Sequence, residues 1–169
     1  MRMLSTLAVL SLACGANAAD LKLTGDNTKI EWTGHKKDGK HSGGFKTLTG
    51  TATTSEKIAF TIEIDVDSLH SDDDKLTAHL KAPDFFNAKD HPKAKFASSK
   101  VVKTDKGHTV TGELTLLGKS KEISFPATIT ASDKALSLKA EFQINRADYG
   151  MTYGKGKVND EVDLKVSVD

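Results

Sequence analysis

Residues 136–144, LSLKAEFQI, set Leu136, Leu138, Ala140, Phe142 and Ile144 at alternate positions, with Ser137, Lys139, Glu141 and Gln143 between them. Side chains leave a β-strand on opposite faces in turn, so such a run has one apolar face and one wet face. The same grammar recurs along the chain. Ile58, Phe60, Ile62, Ile64 and Val66 alternate with Ala59, Thr61, Glu63 and Asp65. Val110, Leu114 and Leu116 share a face across Gly112, and Ile123, Phe125, Ala127 and Ile129 share another. Val162, Leu164, Val166 and Val168 close the chain, Ile30 and Trp32 open it, residues 45–52 carry a further run, and 96–102 a weaker one. These readings predict about eight strands. Consecutive antiparallel strands with one apolar face each pack as a two-sheet sandwich or close into a barrel.

Turn residues separate the runs. Gly25-Asp26-Asn27, Asp38-Gly39, Lys106-Gly107, Gly118-Lys119 and Ser132-Asp133 fall between them. Gly118 predicts a tight hairpin between Leu116 and Ile123, and Pro126 predicts an edge or a bulge. A Ser71 cap followed by Asp72, Asp73 and Asp74 predicts a short helix through Leu80, stopped by Pro83. Phe85 and Phe86, in the long connection that follows, are expected to plug or line one end of the sheet.

The first 18 residues follow a different rule. Met1-Arg2-Met3 is a short positive start, Leu4–Ala13 a small apolar core, and Ala16-Asn17-Ala18 a small-x-small cleavage pattern. We expect residues 1–18 to be a signal peptide and 19–169 one domain, placed in the periplasm or secreted. The apolar run is shorter than the ~20 residues of a membrane-spanning helix, so no stable membrane insertion is expected. The alternative is lipid attachment at Cys14, in Leu10-Ser11-Leu12-Ala13-Cys14. Cys14 is the sole cysteine, so cleavage leaves no disulfide. A chain of ~150 residues still buries close to ~70% of its unfolded surface.

Lys and Arg number 24 and Asp and Glu 23, and losing Arg2 with a leader makes the two equal. A nucleic-acid partner calls for a basic excess, so none is expected. Catalytic signatures are missing from the sequence: it holds no G-x-S-x-G, HExxH or CxxC. His35 and His41, within the basic stretch 35–41, could ligate zinc or copper, but their spacing matches no standard site and they read as loop residues. Asp72–Asp74 lacks the spaced oxygens of a calcium loop and reads as helix-start charge. No catalytic residue, metal or cofactor is assigned. Phe60, Ile62, Ile64, Leu114, Leu116, Phe125, Ile129, Leu138, Phe142 and Ile144 would face inward, with Trp32, Phe45, Phe85 and Phe86 extending the set. Pattern alone leaves two readings open, a solid core and a hollow lumen holding one slender apolar ligand. Arg146 and Asp148, two residues apart beyond Ile144, would share a face, fixing the barrel's end by pairing with each other or with neighbouring strands, or meeting a ligand's polar head.

Four stretches in order resemble the YceI-like family of exported bacterial lipid-binding proteins. They are Lys29-Ile30-Glu31-Trp32 with Gly43-Gly44-Phe45 and Leu48-Thr49-Gly50; residues 79–87, HLKAPDFFN, with 91–98, HPKAKFAS; residues 112–121, GELTLLGKSK; and residues 144–151, INRADYGM. The resemblance implies a single antiparallel eight-stranded lipocalin-like barrel with a short helix in a connecting loop. It also implies a long lumen for a polyisoprenoid chain such as a quinone tail, held without catalysis by a monomer or homodimer. The sequence departs from the family at Thr77, where an acid often stands, and in the Lys- and Gly-rich stretch 34–44. The remaining alternatives are metal handling or small-molecule catalysis through His35 and His41, and a solid-core stress or interaction module.

Overall fold

The alternating runs become strands of one antiparallel sheet. The computed structural model describes residues 20–54 and 57–169. The signal-peptide and Cys14 expectations lie outside those residues. The strands are β1 (Leu21–Thr24), β2 (Thr28–Lys36), β3 (Gly39–Phe45), β4 (Leu48–Thr53), β5 (Ala59–Asp65), β6 (Leu69–Ser71), β7 (Lys93–Thr104), β8 (Gly107–Leu116), β9 (Lys119–Ser132), β10 (Ala135–Asn145) and β11 (Val158–Val168). One short helix, α1 (Asp74–Leu80), lies between β6 and β7. Neighbours run in the order β1-β4-β5-β7-β8-β9-β10-β11-β2-β3-β6. The sheet curls around its apolar face, whose side chains gather at its centre.

The described residues thus form eleven strands where the sequence reading expects about eight. The three extra strands carry weak signals. β1 and β6 have 4 and 3 residues, too short for a periodicity to register. β3 reads GKHSGGF, with a single large apolar residue, a composition that predicts a loop. It is instead the return arm of a hairpin with β2, pairing Glu31 with Gly44 through Lys36 with Gly39. The basic tip of stretch 35–41 is the turn of that hairpin.

Corners explain why short strands adjoin long ones. Between β1 and β2, the Asn27 carboxamide accepts from the Thr24 N–H (2.9 Å) and the Thr28 hydroxyl (3.0 Å) and donates to the Lys22 carbonyl (2.9 Å). Between β3 and β4, the Thr47 N–H donates to Ser68 Oγ (3.0 Å). A single 3-10 turn, Val66–Ser68, capped by Asp65, separates β5 from β6.

Of the two expectations for Pro126, the edge is met and the bulge is not: it sits inside β9 opposite Thr109 of β8, in continuous register, with no strand partner on its other side. Pairing of β9 with β10 begins only at Thr128, so the missing N–H costs no rung on that side. Helix α1 is capped by Asp73, whose carboxylate accepts from the Leu76 N–H at 2.7 Å. Ser71 instead ties β6 to the helix, its N–H donating to Thr77 Oγ1 (2.9 Å) and its hydroxyl lying 2.8 Å from the same atom. The Gly118 hairpin forms as read, with Leu117 and Gly118 both left-handed (φ 52° and 69°), the pairing a two-residue hairpin turn requires.

Candidate functional site

Facing strands pack in clusters, the first toward one end of the curled sheet. There Leu23, Ala52, Phe60, Val110, Phe125, Ala127, Leu136, Leu138, Ala140 and Val168 form a cluster, each less than a tenth exposed. A second cluster, including Ile30, Leu48, Ile64, Ala94, Leu114, Leu116 and Tyr149, lies toward the other end. Between and beside them the inward-facing Ile62, Phe96, Ile123, Phe142, Ile144, Leu164 and Val166 are only half-buried. They point inward and keep exposed surface because they border a cavity of about 240 Å³ whose wall is almost wholly apolar.

Thirteen of the fourteen expected lumen residues lie on that wall. Trp32 (β2), Phe45 (β3), Phe60, Ile62 and Ile64 (β5), Leu114 and Leu116 (β8), Phe125 (β9), and Leu138, Phe142 and Ile144 (β10) come from strands. Phe85 and Phe86 come from the connection after α1. Ile129 is the exception. It is buried in the first cluster with Ala127 and Leu136, off the wall, although its pairing partner Leu138 lies on it. Sequence reasoning passed over Leu76 and Leu80 of α1, and Val162, Leu164, Val166 and Val168 of β11. The β11 residues carried the same alternation and could have been assigned from it; the helix residues carried no such sign.

The wall's polar groups gather at one rim: His35, Lys36 and His41 from the β2–β3 hairpin, and Arg146. His35 Nε2 lies 2.7 Å from Asp163 Oδ2, and His41 Nδ1 2.9 Å from Asp72 Oδ1. Hydrogen bonds from His35 and Gln143 hold the Asp163 carboxyl below its ordinary pKa. The Ser42 N–H and His41 do the same for Asp72. Each imidazole is thus engaged by its own carboxylate. Among the described residues no three His, Cys, Asp or Glu side chains gather to hold a metal ion.

Residues 146–149 leave β10 as a 3-10 turn, Asn145 capping it and Gly150 ending it in the left-handed region (φ 95°). The expected shared face of Arg146 and Asp148 is therefore lost, because a 3-10 turn does not alternate. Asp148 is exposed and off the wall. Arg146 is 4% exposed and reaches across to the chain leading into β11. Its Nε donates to the Asn159 carbonyl (2.9 Å), Nη1 to Met151 (3.0 Å) and Nη2 to Val158 (3.3 Å), and Asp160 Oδ1 lies 3.2 Å from Nη2. The guanidinium staples segment 151–159 beside the rim. Tyr149, 1% exposed, has a hydroxyl without a hydrogen-bond partner among the described residues. Burial, with the Asp148 charge adding, raises its pKa. Past the staple, Tyr153 stands exposed, its ring 5.1 Å from Phe85 and 4.7 Å from His79.

A curled all-β sheet around an apolar cavity, with polar groups confined to one rim, defines a hydrophobic-ligand binding architecture. Residues 21–169 match the YceI-like domain, and the chain belongs to that family. It is 32% identical to Protein YceI of Escherichia coli O157:H7 over 184 aligned positions, covering 97% of this chain and 93% of the relative. It is 31% identical over 140 residues to UPF0312 protein plu2095 of Photorhabdus laumondii, covering 75% and 71%. Solved structures share the fold. BcnA of Burkholderia cenocepacia superposes with a TM-score of 0.76 at 23% identity, over 83% of this chain and 94% of that one. A polyisoprenoid binding domain from Saccharophagus degradans, implicated in plant cell wall breakdown, superposes with a TM-score of 0.70 at 15% identity, over 90% and 97%.

Proposed function

We propose that this chain is a non-enzymatic binding protein that takes one long isoprenoid lipid, such as a polyprenyl or quinone tail, lengthwise into its cavity to carry or sequester it. The observation that carries the reading is the set of inward-facing yet half-buried side chains along an apolar cavity. Wall residues on β11 run from Val158 to Val168. At ~3.3 Å per residue that is about 33 Å of strand, or roughly 25 Å along the axis of a barrel with strands tilted ~40°. A cavity of 240 Å³ drawn out over that length has room for one chain and no more. Even a compact apolar cavity of ~150 Å³ stays dry and takes up benzene. Each methylene desolvated contributes about 0.8 kcal/mol, so ten contribute roughly 8 kcal/mol before the cost of ordering the chain.

We read the eleven strands as eight passes of chain closing a barrel. Three of the passes, β1–β2, β3–β4 and β5–β6, bend at corners. The pairing of β11 with β2 supports this, since it sets the last pass beside the first. The polyisoprenoid binding of the Saccharophagus neighbour lends the ligand class further support. Export to the periplasm or beyond, with cleavage after residue 18, belongs to the same proposal, and N-terminal sequencing of the mature protein tests it.

Native mass spectrometry of protein from its own host tests the ligand. Added mass that extraction assigns to an isoprenoid supports the proposal; a mass equal to the bare chain, unchanged on incubation with prenyl alcohols, refutes it. Trp32, the sole tryptophan, lies on the wall, so its fluorescence reports occupancy directly. Val166→Trp would place an indole in the cavity, and it should abolish loading while the protein still folds.

A further inference from the structure

Three phenylalanines form a belt partway down the tunnel. Phe125 of β9 and Phe142 of β10 stack with centroids 4.1 Å apart and planes 7° from parallel. Phe96 of β7 leans against Phe125 at 5.7 Å. Phe96 spans the intervening strand β8 because Gly112 has no side chain there: a Cβ on Gly112 would lie 2.6 Å from Phe96 Cζ. The rings thus cover four adjacent strands at one level. They stand where the two apolar clusters meet, and the bridging residues Ile62, Phe96, Ile123 and Val166 pack against both. Cavity wall continues on either side of the belt: Ile64, Leu114 and Met151 of the cluster that includes Tyr149, beside the rim, and Phe60, Leu138 and Val168 of the other.

The geometry points to a length gauge: the Phe96–Phe125–Phe142 belt divides the tunnel into an outer and an inner chamber, and selectivity for long isoprenoid chains resides in the inner one. This rests on the binding function proposed above and specifies which part of that site reads chain length. A chain that ends at the belt fills the outer chamber alone. A longer one threads past the rings, gains contact with the inner chamber, and binds more tightly and in two stages. Stacked rings at close contact are held by packing and shift together, so threading is slower than first entry.

Stopped-flow Trp32 fluorescence with farnesol and solanesol, both supplied in cyclodextrin, tests the gauge. Farnesol should give one phase and solanesol a fast phase followed by a slow one, with solanesol at least tenfold tighter. Phe142→Leu, which removes one ring of the stack and keeps an apolar side chain, should speed the slow phase at least fivefold. Leu138→Phe, which narrows the inner chamber, should remove the slow phase and bring solanesol affinity to within threefold of farnesol. Leu136→Met, a volume-conserving change in the same buried cluster but off the cavity wall, should behave as the parent, which separates a blocked chamber from a damaged fold; melting curves of all three variants guard the same point. Equal affinity for the two alcohols in the parent, or a slow phase untouched by both variants, overturns the gauge while leaving isoprenoid binding intact. Failure of both alcohols to bind the parent overturns the underlying function instead.

Discussion

Arg146 is placed to hold the fold's rim together, and replacing it with Met isolates that role. Methionine keeps most of the aliphatic stem and removes the guanidinium. Three carbonyls then lose their donor, those of Met151, Val158 and Asn159. A hydrogen bond from a charged group has a net worth of about 1.5–3 kcal/mol when buried. Only the bond to Met151 is fully buried; those to Asn159 and Val158 are partly buried, the latter also long at 3.3 Å, so water can replace part of each. Asp160 has a side chain 38% exposed, so its ion pair adds little. One full bond of about 2 kcal/mol and two partial ones of about 0.5–1 kcal/mol give a loss of about 3–4 kcal/mol. Release of the guanidinium's own desolvation cost trims this toward the lower figure. For a chain of this size each kcal/mol moves the melting temperature by about 2–4 °C, so Arg146→Met should melt about 10 °C lower. Arg146→Lys should recover less than half of that, because one ammonium cannot match three carbonyls held by a planar fork. Circular dichroism melting measures the drop, and hydrogen exchange across 151–159 should show it concentrated in the stapled segment. Ligand affinity at 25 °C should stay within about threefold, a small change on the scale of 1.4 kcal/mol per tenfold. A melting point unchanged to within a few degrees together with lost ligand binding would refute the staple and assign Arg146 to the ligand's polar head.

Tyr149→Phe removes a buried hydroxyl that has no partner, so stability should rise by up to about 1 kcal/mol, read as a melting point about 3 °C higher. Thr77→Val removes both ties from Ser71 to helix α1, at a cost of about 1–2 kcal/mol, and should raise amide exchange in residues 74–80 while leaving β8–β10 protected. Asp163 has a folded pKa below its unfolded value of ~3.9, so its pairing stabilises the fold above that pH and is lost as pH falls through the lower, folded value. Asp163→Asn should therefore lower stability at neutral pH slightly and flatten the loss of stability below about pH 4, measured by urea unfolding across an acid series.

The strands that carry the tunnel were legible because burial on one face forces a period of two, and that period survives in the residue order. Phe60, Ile62 and Ile64, or Leu138, Phe142 and Ile144, can be assigned to an inward face from the residue order alone. Hollowness was not legible in the same pattern. Whether Ile62 and Val166 meet across the axis or stop short of it depends on sheet curvature, and curvature is set at corners such as Asn27 and Thr47, which alternation does not encode. Ile129 shows the cost of that gap: its period matched the wall, yet it packs inside the buried cluster while its partner across the β9–β10 pairing, Leu138, lines the cavity. β3 was missed for the opposite reason. A strand held by backbone pairing to β2 on one side and β6 on the other needs little apolar side chain, and Gly43 and Gly44 are there because neighbouring groups come too close for a Cβ, the His70 carbonyl at Gly43 and the Ile30 carbonyl at Gly44. The Arg146 staple was half legible. Arg beside a strand end signalled a structural clamp, but its acceptors are carbonyls of residues 151–159, and a backbone carbonyl looks the same in every residue of a sequence. The same reasoning locates the length gauge: the three phenylalanines stand out in the sequence, but Gly112, which lets Phe96 reach Phe125, reads there as a gap in a strand rather than as the space a ring requires.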